Sequence, residues 1–208
     1  IEAIEYVLRN AHERDVKFIR LWFTDILGTL KGFAITIDEL EHVLHRGATF
    51  DGSVMDGSVR SDEADMVAMP DQSTWERLPW RPRENAVARM FCDVQTPGGE
   101  PAEADCRHTL RRNLQRASDA GFTFYVGPEI EFFYFKQGEG TEPLEGGGYF
   151  DQTSTDSGAD LRRETVLALE EMGIPVQHSH HEVAPGQHEI DLRHTNALTM
   201  ADSVITYR

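Results

Sequence analysis

Residues 122–136 read FTFYVGPEIEFFYFK, a run of aromatic and β-branched side chains broken only at Gly127-Pro128. Composition of this kind specifies extended chain. Side chains two apart in a strand share a face, so Glu129 and Glu131 point one way while Ile130 and Phe132 point the other. Two carboxylates on one face of an aromatic-flanked strand are costly to bury without a partner. Either the strand lies at an edge with its polar face in water, or something cationic sits against it. Taken alone, the edge strand is the simpler reading.

A second segment shifts the balance. In HSHHEVAPGQHEID, residues 178–191, Pro185-Gly186 suits the two central positions of a type II turn running from Ala184 to Gln187. A two-residue hairpin closed there sets Glu182 directly opposite Glu189, and His180 opposite Asp191. Like charges directly opposed destabilise a sheet unless a cation lies between them. Four glutamates from two hairpin-like elements make an oxygen-rich pocket, which favours Mg²⁺ or Mn²⁺ over zinc. His178, His180, His181 and His188 invite a zinc reading, but no cysteine joins them. His178 and His188 are expected to be solvated strand residues.

The chain of 208 residues carries 36 acidic and 20 basic side chains, a formal charge of −16 spread without an acidic tail. That charge argues against nucleic acid or an anionic membrane as partner. No apolar run reaches the roughly 18–20 residues needed to span a bilayer, and the N-terminal stretch is charged and amphipathic, so a cytoplasmic location is expected. Cys92 and Cys106 form no CxxC pattern and read as a buried thiol and a helix-start residue. The chain opens without methionine and stops inside a helix-like segment near Ser203, which reads as a truncated chain.

Residues 16–23 and 30–37 predict a hairpin. Asp38 is expected to cap a short helix bearing Leu40, Val43 and Leu44, stopped by Gly47. A long polar loop is expected over residues 49–65, then short strands over 66–69, 75–80 and 86–94. Asp105 caps a helix over 106–120, the strand-like run follows, and a Gly-rich connector over 138–148 leads to Tyr149-Phe150-Asp151. A helix over 158–172 and two strands about Pro185-Gly186 complete the pattern. The order predicts an α+β chain with a domain boundary near residues 97–101. Neither GxxxxGK[ST] nor a GxGxxG in strand–helix context is present, so any ATP site is of another kind.

At RLWFTDILGTLK (20–31), FDGS (50–53), ARMFCD (88–93), GPEIEFF (127–133), GYFD (148–151) and SHHEVAPGQHEID (179–191) the sequence resembles the glutamine synthetase family. The resemblance implies a β-grasp-like N-terminal domain, residues 1–97, followed by the first part of a catalytic β-sheet domain, residues 98–208, truncated at its C-terminal side. It implies an ATP-dependent ligase joining ammonia to the side-chain carboxylate of L-glutamate through γ-glutamyl phosphate. By similarity, Glu131, Glu182 and Glu189 hold a Mg²⁺ or Mn²⁺ near glutamate. Glu129 belongs to a second ion that holds the ATP phosphates. Asp51 matches an aspartate that binds and deprotonates ammonium, Tyr149 an aromatic lining that pocket, and Gln177 a nucleotide-contacting position where the family often has glutamate. Homo-oligomers of hexameric rings stacked as a dodecamer are implied, with each site shared between subunits.

Two departures bear on the amine. Where the family usually has a second serine after Asp-Gly-Ser, this chain has Val54, and Ser58 replaces a frequent aromatic. Both changes suit a γ-glutamyl-polyamine or γ-glutamyl-monoamine synthetase as the alternative, while family frequency favours ammonia. A non-catalytic, structural or regulatory member is a further alternative, against which the retained glutamates and Asp51 speak.

Overall fold

The structure, a computed structural model, describes residues 2–56, 65–152 and 156–208. In chain order its elements are α1 (Glu2–Glu13), β1 (Val16–Thr24), β2 (Leu30–Thr36), α2 (Leu40–Arg46), β3 (Ala48–Asp51), β4 (Asp65–Pro70), β5 (Glu76–Arg77) and β6 (Ala86–Gln95). There follow α3 (Cys106–Asp119), β7 (Tyr125–Val126), β8 (Glu129–Phe133), α4 (Ala159–Glu171), β9 (Val176–His181), β10 (Gln187–Leu192), β11 (Thr195–Asn196) and α5 (Ala197–Tyr207). The chain divides into two compact units, Ile1–Thr123 and Phe124–Arg208. Among the described residues no helix is long and apolar enough to cross a membrane.

In the first unit the sheet runs β2-β1-β6-β4-β3, with β5 added to β6. The β1–β2 hairpin closes on Asp25, whose carboxylate accepts from Leu27 N and Thr29 N, both at 2.9 Å. β1 and β6 are parallel neighbours. Ile19, Leu21 and Met90 from these two strands are fully buried, each contributing about 1.5–3 kcal/mol. The apolar stripe of α1, with Ile4, Val7, Leu8 and Ala11 at helical spacing, covers this core together with Leu40, Val43 and Leu44 of α2. A smaller cluster of Phe23, Met55, Val94 and Ala102 packs at the end of β3, against Phe50 and Val54.

The second unit has a three-stranded antiparallel sheet, β8-β10-β9, and a small β11–β7 pair. α4 lies on the face that carries His188, since Arg162 of α4 reaches its ring. Gly158, just before α4, meets the same ring: a Cβ there would stand 2.5 Å from His188 Cε1. The opposite face of β10 carries Glu189 and Asp191.

Several expectations need correction. Asp38 caps nothing through its side chain, because residues 37–39 form a 3-10 turn that leads into α2. Residues 49–51 pair with β4 and are strand, not loop. The expected strand over 75–80 shrinks to Glu76–Arg77, preceded by a 3-10 turn whose Asp71 cap accepts from Ser73 N. The aromatic run over 122–136 is divided by Gly127-Pro128 into β7 and β8, which belong to different sheets. Proline removes a ladder donor, which explains the break. The Cys106 and Gly47 expectations agree with the α3 start and the α2 stop.

Candidate metal centre

The hairpin of β9 and β10 closes through the expected turn, with Gln187 N donating to Ala184 O at 3.0 Å and Gly186 at φ +69. Its register differs from the expectation. Glu182 N donates to Gln187 O at 2.8 Å, so Val183 and Ala184 are accommodated outside the ladder. His180, not Glu182, stands directly opposite Glu189, and His178, not His180, opposes Asp191. The slip is two residues, and because the side-chain period is also two, it leaves every residue on its expected face. Glu182 therefore still meets Glu189, diagonally rather than head-on.

One oxygen of each of these glutamates and a ring nitrogen of His180 lie within 4.8 Å of one another. His180 Nε2 is 3.0 Å from Glu182 Oε1 and 3.4 Å from Glu189 Oε2. Across β10 the register sets Glu131 opposite Glu189 and Glu129 opposite Asp191. Glu131 Oε2 accepts from Gln187 Nε2 at 2.6 Å. All four candidate glutamates thus share one sheet face, although only Glu182 and Glu189 are in the tight group. Among the described residues no lysine or arginine pairs with any of them.

The electrostatics follow from that geometry. Burial, then Asp191, then Glu182 push Glu189 from its ordinary 4.5 up to about 8. Glu182 is held below the ordinary carboxylate range, chiefly by the Val183 N–H donating to its Oε2 at 2.9 Å. One carboxylate of the pair keeps its charge and the other keeps a proton, as expected for like charges at close range. The buried Oδ1 of Asp191 has no hydrogen-bond partner. A charged face that no described lysine or arginine pairs with, a carboxylate that holds its proton and an orphaned oxygen together fit a hard divalent ion bound by oxygen ligands.

The Tyr149 ring stands edge-on to His180 at 5.8 Å between centroids, beside Phe150. Gln177 is the exposed residue at the irregularity in β9, between the pairs of His178 and Val176. Asp51 belongs to the first unit, at the end of β3, where its Oδ1 accepts from Ser53 N at 3.0 Å. Ser58 lies outside the described residues.

Behind the glutamates is a buried network that the sequence reading missed. His188 is fully buried rather than solvated, boxed by Phe132, Tyr134 and Gly158. Arg162, itself held bidentate by Asp156 at 2.6 and 2.8 Å, stands 2.7 Å from His188 Nδ1. Burial and then Arg162 lower the His188 pKa from its ordinary value. His181, also fully buried, stacks edge-on to His188 at 4.9 Å and reaches Glu145 at 2.9 Å. The one available signal is the hairpin itself: the correct register opposes two histidines on the inner face, and buried rings require polar partners. No local pattern names Glu145, which is 36 residues from His181.

A family model described as the glutamine synthetase β-grasp domain matches residues 15–97, and one described as the glutamine synthetase catalytic domain matches residues 103–208. The chain is 55% identical over 210 residues to a glutamine synthetase of Mycolicibacterium smegmatis, covering 98% of this chain and 47% of that protein. It is 52% identical to one of Mycobacterium tuberculosis, with the same coverage. The chain thus spans about half the length of the curated relatives it matches. Among solved structures, a GmaS/ADP complex superposes with a TM-score of 0.85 at 25% identity, over 97% of this chain and 47% of that one. A glutamine synthetase of Plasmodium falciparum gives 0.83 at 22% identity, over 99% and 46%, which speaks to the fold alone.

Proposed function

Because the chain belongs to the glutamine synthetase family, we propose that it serves in the ATP-dependent ligation of ammonia to the side-chain carboxylate of L-glutamate, through γ-glutamyl phosphate. The observation that carries this reading is the sheet face on which Glu129, Glu131, Glu182 and Glu189 gather without a lysine or arginine among the described residues. Mg²⁺ or Mn²⁺ bound there would offset the repulsion between two anionic substrates and neutralise charge on the transferred phosphoryl group. Glu131, Glu182 and Glu189 would hold one ion near glutamate, and Glu129 a second near the phosphates of ATP. Gln177, exposed on β9, would contact the nucleotide.

Asp51 would bind ammonium and take its proton, with Tyr149 lining the amine pocket. The half-buried Val54 packs against the cluster of Phe23, Met55, Val94 and Ala102. Its methyl groups are therefore engaged in packing, which supports ammonia over a larger amine. We place the domain boundary at residue 97, a reading supported by the gap between the matched ranges. A cytoplasmic homo-oligomer of stacked hexameric rings completes the proposal.

A panel of amines, assayed with the complete protein for glutamate-dependent release of ADP, tests this function. Release with ammonium is expected. Release with putrescine or ethylamine and none with ammonium would overturn the choice of amine, and no release with any amine would overturn the ligase.

A further inference from the structure

Glu145, His181 and His188 bring one carboxylate oxygen and two ring nitrogens within 4.8 Å of one another, on the sheet face away from Glu182 and Glu189. Two histidines and a glutamate could be a cation site, but the hydrogen bonds oppose that. A guanidinium has only donors, so Arg162 Nη1 at 2.7 Å makes His188 Nδ1 an acceptor. The ring proton of neutral His188 is then on Nε2, 3.4 Å from Glu145 Oε1, and that nitrogen has no lone pair to offer a metal. The trio is a junction in which Glu145 Oε1 meets His181 Nε2 at 2.9 Å, while His188 Nε2, 3.4 Å from the same oxygen, has no hydrogen-bond partner.

The junction connects two pieces of the proposed site. His181 Nδ1 lies 2.6 Å from the Glu182 carbonyl oxygen, which can only accept, so His181 donates to the backbone of a candidate metal ligand. His181 Nε2 faces Glu145 Oε1 at 2.9 Å, and Ser157 Oγ donates to Glu145 Oε2 at 3.2 Å. The Phe150 N–H donates to the His181 carbonyl at 3.0 Å. Residues 146–149 between these anchors are three glycines and Tyr149, so the segment has little side chain of its own with which to pack. Both ends of the segment are tied to His181, and within it Gly148 N donates to Asp151 Oδ2 at 2.9 Å.

We propose that Glu145 is a positioning residue that docks the loop bearing Tyr149 onto the hairpin and, through His181, fixes the backbone at Glu182. The inference rests on the metal-centre reading for the role of Glu182, whereas the docking of the loop stands on the hydrogen bonds alone. Glu145→Leu removes the carboxylate at nearly constant size. Glu145→Gln keeps a polar partner of the same length for His181 Nε2, and Glu145→Asp keeps the charge but lacks the reach.

The test measures hydrogen exchange at the Phe150 amide and Mn²⁺ affinity in the complete protein, with the melting temperature followed alongside. Glu145→Leu is expected to speed Phe150 exchange about tenfold or more and to weaken Mn²⁺ binding about 10–100-fold, as removal of an outer-shell partner does. Glu145→Gln is expected to restore both to within about threefold, whereas a purely packing role would leave Glu145→Leu, similar in size, near wild type in both. Should Glu145→Leu fail to fold, Glu145→Asp reads the same two quantities. Exchange at Phe150 that matches wild type in the folded variant overturns the inference, whatever the metal does. A wild-type protein that binds no Mn²⁺ overturns the metal reading instead, and the exchange comparison then decides the docking of the loop.

Discussion

Replacing Glu189 by glutamine should make the cation-free protein more stable while removing its response to metal. Glu189 is 8% exposed and its pKa is raised from 4.5 to about 8. A carboxylate with a raised folded-state pKa binds more protons folded than unfolded, so between 4.5 and about 8 the stability falls as pH rises. At pH 7 about 2.5 pH units of that window have been crossed, at about 1.4 kcal/mol each, giving a cost of about 3 kcal/mol. Glu182, whose pKa is lowered, returns part of this, so a net gain of about 1–3 kcal/mol is expected for Glu189→Gln. Chemical denaturation of the complete protein, stripped of metal and compared with and without Mn²⁺ at pH 7, measures both effects. The variant should have the higher midpoint without metal and a much smaller shift on adding Mn²⁺. A variant less stable than wild type without metal, or one stabilised by Mn²⁺ as strongly as wild type, would refute the reasoning.

Other outcomes follow from the same contacts. Mn²⁺ affinity, measured by calorimetry, should rise about tenfold per pH unit as pH approaches the Glu189 value of about 8 and then level off, with one proton released on binding. Arg162→Met strands buried Asp156 and should cost about 3–5 kcal/mol by denaturation, whereas adding Asp156→Leu should recover much of that loss. Burial alone would raise the Asp156 pKa, but Arg162 outweighs it and holds it below its ordinary 3.8. Its stabilisation should therefore be full above that value and be lost as pH falls through the lowered one, a loss absent from the double variant. Gly158→Ala forces a methyl into the His188 ring, 2.5 Å away, and should cost about 1–3 kcal/mol in a thermal melt.

Much of the fold can be read from local pattern. The β1–β2 hairpin, α3 with its Asp105 cap and the turn at Pro185-Gly186 all depend on residues close in sequence. The shared face of Glu182 and Glu189 was legible for the same reason, since strand periodicity survives an even slip in register. The exact pairing was not, because Glu182 and Gln187 bond to each other outside the two-residue turn, which no composition rule specifies. Asp38 misled because a 3-10 turn placed it inside the first turn rather than at the cap. His188 misled because alternation assigns it a face but does not say which face is covered, and α4 covers it.

Residue order specifies four glutamates at strand-face spacing, an acidic chain without phosphate-loop motifs, and family motifs in order along nearly its whole length. Residue type and a period of two suffice for that, because both are properties of the chain before it folds. The folded chain adds that His181 and His188 are fully buried, that an acid from a glycine-rich loop bonds His181 and lies 3.4 Å from His188, and that the Glu189 pKa is pushed up to about 8. Those are consequences of burial and of contacts between residues distant in sequence. Desolvation and hydrogen-bond partners exist only once the chain has closed around them.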